Sequence, residues 1–138
     1  DRVEEAVVVT YSNYVDLIVR FLRSSGVRVH LYCSDLPFYG GIYRSETREV
    51  FLNEPNARQA LLVLAHEAGH WLGYEVFGEK PHSFQRERQA YVYGWRVMLL
   101  VGADKLVSRR EWIDDCWISW RLSKGLTVDT SMVVSRHE

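Results

Sequence analysis

Two histidines and a glutamate stand at a spacing that suits metal-assisted hydrolysis. His66, Glu67 and His70 form the pattern His-Glu-x-x-His. On a helix, side chains four residues apart lie one turn above each other on the same face, so both imidazoles can reach one ion. Neutral imidazole is a good zinc ligand, and Glu67 can reach a water in the open coordination position. The pattern therefore predicts His66 and His70 as zinc ligands and Glu67 as the catalytic general base.

The residues around this motif favour the metal-binding interpretation. The motif follows the apolar run 61–64 and precedes Trp71 and Leu72. Two histidines and a glutamate are costly to bury in such a segment unless they have partners, and a metal ion supplies one. The alternative is a surface helix whose histidines face water, because a pattern of five residues also arises by chance.

A catalytic zinc ion commonly has three protein ligands and leaves the fourth position to water. Position 76, where an extended histidine-rich variant of the motif would place a third histidine, is Val76. Glu87 is the preferred third ligand, because it shares a helical face with small and apolar residues, which predicts that this face looks inward. The other residues of the face are Ala90, Tyr91, Gly94 and Met98.

Other interpretations of the third position stay open. His82 is the alternative third ligand, and Glu87 could also be an exposed residue of the charged run 86–88. The helical projection puts Gln89 on a different side of the helix from Glu87, and a neutral amide would be a poor zinc ligand.

Hydrophobic periodicity predicts four helices and a small sheet. The helices are predicted over about 11–23, 57–74, 83–101 and 109–122. Alternation over 27–33 predicts a half-buried strand, 49–53 predicts another strand, and Gly40-Gly41 is typical of a turn. Together these elements predict an α+β fold in which a small antiparallel sheet packs against the motif helix and two further helices.

Composition indicates one ordinary globular domain that spans residues 1–138. The formal net charge is −1 at pH 7, which argues against direct binding to nucleic acid or to an anionic membrane. No apolar run reaches the roughly 18–20 residues that span a bilayer. Cys33 and Cys116 form no CxxC pair and are interpreted as reduced, buried thiols. With no signal peptide at the start of the sequence, these features predict a cytoplasmic protein.

Over residues 41–100 the sequence resembles the ImmA/IrrE-type metallopeptidases, relatives of the glutamate-liganded zincins. The similar segments are Ile42-Tyr43 to Phe51-Leu52-Asn53, His66-Glu67-Ala68-Gly69-His70, and Glu87-Arg88-Gln89-Ala90 with Tyr93-Gly94 and Met98-Leu99. The resemblance implies a minimal zincin-like domain in which His66, His70 and Glu87 hold Zn²⁺ and Glu67 is the base. Relatives place Asp or Asn four residues after the glutamate ligand, where it is expected to orient a histidine, but this chain has Tyr91. The orienting group is then either the hydroxyl of Tyr91 or a different residue.

The resemblance also implies a function and a partner. The expected activity is that of a zinc-dependent peptidase acting on a protein or peptide, and family analogy suggests a DNA-binding repressor of a phage or mobile element. The strand at 48–53 is expected to offer an edge for an extended peptide. The alternatives are a non-catalytic, anti-repressor-like binding module that retains a zincin fold, and a metal hydrolase that cleaves a non-peptide amide. The oligomeric state is left open, and the candidate oxyanion donors are Tyr43, Tyr74, Tyr91 and His82.

Overall fold

The computed structural model describes residues 9–33, 40–78 and 83–123. The fold is α+β, as the sequence predicts, and its four helices begin at the predicted positions. Helix α2 continues past its predicted end to Phe77. In chain order the elements are α1 (Tyr11–Ser24), β1 (Arg28–His30), β2 (Gly40–Arg44), β3 (Glu49–Asn53), α2 (Ala57–Phe77), α3 (Ser83–Val101), the 3₁₀ turn Ala103–Lys105 and α4 (Arg109–Ser123).

The three strands form a mixed sheet in the order β1–β3–β2. Strand β3 runs antiparallel to β2, with Val50 opposite Tyr43, and parallel to β1, with Val50 opposite Val29. The prediction of an antiparallel sheet is therefore wrong for the β1–β3 pair, which is parallel. The turn at residues 45–48 joins β2 and β3 as an antiparallel hairpin, and β1 pairs in parallel with the other edge of β3.

Two further expectations about the sheet are corrected. Gly40 and Gly41, interpreted as a turn, begin strand β2, and the hairpin turn lies instead at residues 45–48. Strand β3, expected to offer an edge, is the central strand, while β2 is an edge strand that lies against α2. Glycine at position 41 serves this packing, because a Cβ there would lie 2.8 Å from Cγ1 of Val63 on α2.

The hydrophobic core is centred on α2. Helix α1 begins at a capping box between Thr10 and Asn13. Helices α1 and α2 contact the sheet, and α3 packs against α2. Leu61, Leu62 and Leu64 of α2 are at most 1% exposed, and burying each leucine side chain contributes about 1.5–3 kcal/mol to stability. The helix that carries the motif is therefore held firmly by its neighbours.

Helices α2 and α3 cross closely at two glycines. A Cβ at Gly69 would collide with the carbonyl oxygen of Ala90, and a Cβ at Gly94 would lie 2.9 Å from the carbonyl oxygen of Ala65. Backbone atoms cannot move aside as a flexible side chain can, so glycine is needed at both positions. This close approach brings α3 within reach of the motif on α2.

The structure also bears on two expectations, one about membrane spans and one about the cysteines. Among the described residues, no helix combines the length and the apolar character needed to cross a membrane. Cys33 and Cys116 are both free thiols, as predicted. Cys116 is buried, whereas Cys33, which follows strand β1, is only partly buried.

Candidate metal centre

The His-Glu-x-x-His motif lies within α2 and is withdrawn from solvent. His66 and His70 stand one turn apart, and their rings meet edge to face with centroids 4.7 Å apart. Their side chains are 17% and 21% exposed. Glu67 is 7% exposed and is the only charged side chain buried to this degree in the part of the chain that the structure describes. The motif therefore does not lie on an open helix surface.

Glu87 reaches both histidines from α3. Its Oε1 atom lies 3.0 Å from Nε2 of His66, and its Oε2 atom lies 3.1 Å from Nε2 of His70. The carboxylate thus accepts one hydrogen bond from each ring. The predicted inward face of α3 is confirmed, since Ala90 and Met98 are fully buried. The structure brings Glu87 together with the two histidines, and it does not place Glu87 on an open surface.

The three side chains shift one another's ionisation. Burial raises the pKa of Glu87, but hydrogen bonds from His66 and His70 and their positive charges outweigh it, so that pKa lies well below its ordinary value. Burial lowers the pKa of His70, yet the hydrogen bond to Glu87 and the charges of Glu67 and Glu87 raise it above its ordinary value. The Glu87 carboxylate therefore stays ionised at neutral pH, and its negative charge favours a positive charge beside it.

These donor atoms fit a divalent cation. A ligand atom from each of His66, His70 and Glu87 lies within 4.8 Å of the others. Around a tetrahedral ion with bonds of roughly 2.0–2.2 Å, neighbouring ligand atoms are about 3.3–3.6 Å apart. Small side-chain movements would therefore convert the observed arrangement into a coordinating one. Two imidazoles and a carboxylate also leave a fourth position open, as hydrolytic zinc sites require.

A cavity of about 370 Å³ opens beside the cluster. This size lies within the range of small-molecule sites. Gln89, predicted to lie on a different side of α3 from Glu87, also lines it, because Gly73 leaves room for the Gln89 side chain. Besides the cluster itself, the walls include Gly41, Ile42, Tyr43, Tyr74, Arg86 and Gln89.

Tyr43 presents a hydroxyl that is buried and has no hydrogen-bond partner among the described residues. Burial, with the charge of Glu75 as the next cause, raises the pKa of Tyr43 to about 12. The hydroxyl therefore keeps its proton at neutral pH and can act as a donor. Of the candidate oxyanion donors, Tyr43 and Tyr74 line the cavity, Tyr91 is not among its lining residues, and His82 lies outside the described residues.

Tyr91 supports the site through its ring. The ring centroid lies 4.6 Å from that of His66. Nδ1 of His66 is buried and has no hydrogen-bond partner within residues 9–33, 40–78 and 83–123. The Tyr91 hydroxyl therefore makes no hydrogen bond to Nδ1 of His66, and the Tyr91 ring packs against the His66 ring instead.

Two residues near the site were not identified from the sequence. Gly41 brings the edge strand close to Glu67, because a Cβ there would lie 3.1 Å from Cγ of that residue. Asp115 on α4 is partly buried, and the charge of His66 influences its pKa. Neither residue has a local sequence signal, since each matters only through contacts between distant segments.

The chain matches no family model, no curated protein and no solved structure. The resemblance to the ImmA/IrrE-type metallopeptidases therefore stays a prediction from the motifs. The chemistry of the site is interpreted from the positions of His66, Glu67, His70 and Glu87.

Proposed function

We propose that this protein is a zinc-dependent peptidase in which His66, His70 and Glu87 hold the metal and Glu67 is the general base. The observation that carries the proposal is the convergence of three donor atoms within 4.8 Å of one another. Two crossing helices supply them, so the cluster is not a by-product of sequence proximity. The buried carboxylate of Glu67, next to the first of these ligands, supports its role as the base.

The side chains of the site have complementary roles in the proposed reaction. A bound zinc ion supplies Lewis-acid chemistry, which makes water nucleophilic near neutral pH and polarises the scissile carbonyl. Glu67 accepts a proton from the attacking water as the water oxygen bonds to the carbonyl carbon. The hydroxyl of Tyr43 donates a hydrogen bond to the developing oxyanion. Glu67 then passes the proton to the amide nitrogen, the C–N bond breaks, and the products are a carboxylate and an amine.

The edge of β2 offers a binding place for an extended peptide. Among the described strands, β2 pairs with β3 alone, and Gly41, Ile42 and Tyr43 of this strand also line the cavity. Backbone groups on a free edge can pair with a peptide that adds as a further strand. Because Gly41 holds β2 close to Glu67, a peptide bound along this edge would pass near the base.

The proposed substrate is a protein segment in an extended conformation. Resemblance of the motifs to the ImmA/IrrE-type metallopeptidases favours a DNA-binding repressor of a phage or mobile element, met in the cytoplasm. The formal net charge of −1 favours recognition of the repressor protein rather than of its DNA.

A cleavage assay with a library of unstructured peptides tests this proposal. The chain is loaded with one equivalent of zinc, and the products are identified by mass spectrometry. We expect cleavage at discrete bonds, its loss on adding a chelator, and its recovery when zinc is restored. Glu67→Gln should retain zinc and lose cleavage, because an amide cannot accept the proton of water. Glu46→Gln, which changes an exposed glutamate of the hairpin turn, should cleave like the parent chain.

Three outcomes of this assay separate the alternatives. Cleavage by Glu67→Gln at the parent rate would contradict the assigned base. Zinc binding without cleavage of any library peptide would favour a non-catalytic binding module. Absence of zinc binding by the parent chain would refute the proposed metal centre.

A further inference from the structure

The second ring nitrogen of His66 needs a partner when the first nitrogen binds a metal. Nε2 of His66 lies 3.0 Å from Oε1 of Glu87, which places the proton of a neutral imidazole on Nε2. Once Nε2 coordinates a metal, that proton resides on Nδ1. Nδ1 is buried without a hydrogen-bond partner among the described residues, and a buried N–H donor without an acceptor costs about 1–3 kcal/mol.

Helix α4 is linked to the His66 ring through Tyr91. The Nε1 atom of Trp112 donates a hydrogen bond to the carbonyl oxygen of Tyr91 at 3.0 Å, and the Tyr91 ring lies against the His66 ring. Asp115 follows Trp112 by nearly one helical turn, so both side chains lie on the same side of α4. Asp115 therefore lies on the side of α4 that Trp112 anchors to Tyr91, the residue whose ring packs against His66.

The electrostatics of Asp115 agree with this placement. Burial raises its pKa, and the positive charge of Arg58 and that of His66 in its protonated form act in the opposite direction. The negative charge of Asp115 in turn contributes to the raised pKa of Tyr91, after burial and the influence of Cys116 and Glu87. When His66 is neutral and its proton is on Nε2, Nδ1 presents a lone pair, which would repel the carboxylate of Asp115. A hydrogen bond to Asp115 is therefore expected only when Nδ1 carries the proton.

We propose that Asp115 is the positioning residue of His66, accepting a hydrogen bond from Nδ1–H when Nε2 binds the metal. Such a bond fixes the ring orientation and increases the basicity of the ligand. Asp115 on α4 thus has the orienting role that relatives assign to position 91, while Tyr91 packs against the ring. This inference rests on the proposed zinc site.

Zinc affinity, measured by competition with a chromophoric chelator, tests the inference without any substrate. Asp115→Ala should weaken zinc binding roughly 10- to 100-fold. Asp115→Asn should show a smaller loss, because its side-chain oxygen can still accept a hydrogen bond. Asp104→Asn, which removes an exposed aspartate from the 3₁₀ turn, should bind zinc like the parent chain.

A second measurement separates positioning from a general structural role. Long-range proton–nitrogen NMR of the zinc-loaded chain should detect the Nδ1–H proton of His66, and Asp115→Asn should change its chemical shift. Melting of the chelator-treated Asp115→Asn variant should match that of the parent. If Asp115→Ala does not fold, this isosteric variant decides the question, and a parent-like affinity and chemical shift would overturn the inference.

The remaining outcomes are also decisive. An affinity of Asp115→Ala within twofold of the parent would overturn the inference. So would a loss of affinity in Tyr91→Phe alone, because the tyrosine hydroxyl would then be the acceptor. If the parent chain binds no zinc, the proposed metal centre itself fails. If the parent and Asp115→Ala bind zinc equally well, only the role of Asp115 fails.

Discussion

His66 and Glu87 are 21 positions apart in the chain, yet Nε2 of the histidine lies 3.0 Å from Oε1 of the glutamate. The relationship depends on the close crossing of α2 and α3, where Gly69 and Gly94 let the two backbones approach. Each helix contributes part of the site, so the packing between them determines whether the donor atoms converge. The stability of this crossing and the chemistry of the cluster are therefore linked.

Gly69→Ala should destabilise the fold and weaken metal binding together. Its Cβ would collide with the carbonyl oxygen of Ala90, and such overpacking costs about 3 kcal/mol. Gly73→Ala is the matched control, because the three atoms nearest to its Cβ would all belong to the flexible side chain of Gln89, and alanine favours the helix by up to about 1 kcal/mol. Urea unfolding measures the stability of both variants. Equal stability of the two variants would contradict the tight crossing.

Gly41→Ala should reduce peptide cleavage while leaving zinc bound. The new Cβ would lie 2.8 Å from Cγ1 of Val63 and 3.1 Å from Cγ of Glu67, so the base is displaced but the ligands are not. A displacement of this kind lowers turnover roughly 10- to 100-fold. Adding Val63→Ala should restore part of the rate, because it removes the nearest obstacle. A double variant no faster than Gly41→Ala would argue against this steric explanation.

Tyr43→Phe should lower kcat without loss of stability. Removing one oxyanion donor typically costs about 10²- to 10³-fold in kcat. The same substitution deletes a buried hydroxyl that has no partner among the described residues, so the free energy of unfolding should stay the same or increase. Tyr74→Phe, at the other tyrosine of the cavity, is the control. A larger fall in kcat for Tyr74→Phe would transfer the donor role to Tyr74.

The metal-free protein should become less stable as the pH rises above neutrality. The ordinary pKa of histidine is 6.5, and that of His70 is higher in the folded protein. Its proton therefore contributes stability that is complete below pH 6.5 and is lost as the pH rises through the folded-state pKa. The low pKa of Glu87 means that its contribution is lost only in acid, well below this window.

Thermal unfolding between about pH 6 and pH 9 checks this dependence, because the window brackets the ordinary histidine pKa. Tm of the chelator-treated chain should fall across it, and the increase in Tm on adding zinc should grow, since zinc displaces the proton. His70→Gln should remove much of the pH dependence of the metal-free chain. An unchanged dependence in that variant would show that another group is responsible.

The local parts of the fold were predictable from the sequence. The spacing of apolar residues located all four helices, and the small and apolar residues beside Glu87 identified the inward face of α3. Residue spacing also predicted that His66 and His70 share a face of α2, which their ring contact confirms. These features depend on periodicity within one element, which a sequence displays directly.

The features that depend on distant contacts were not predictable in the same way. Alternation of residues along a strand indicates which side chains are buried but not which strands pair. It therefore did not predict that β3 lies between β1 and β2. Gln89 reaches the cavity because Gly73 on another helix makes room for it. Asp115 becomes a candidate partner of His66 only through the packing of α4 against Tyr91. In each case the deciding contact joins residues far apart in the chain.

Zinc content after exhaustive dialysis is the decisive measurement for the metal centre. We expect one zinc per chain for the parent protein and for His30→Gln, which changes a histidine that bonds Glu49 away from the cluster. His66→Ala, His70→Ala and Glu87→Ala should each lose the metal while keeping a folded chain by circular dichroism. Full zinc occupancy in the folded Glu87→Ala variant would contradict the proposed ligand set and redirect the search to His82.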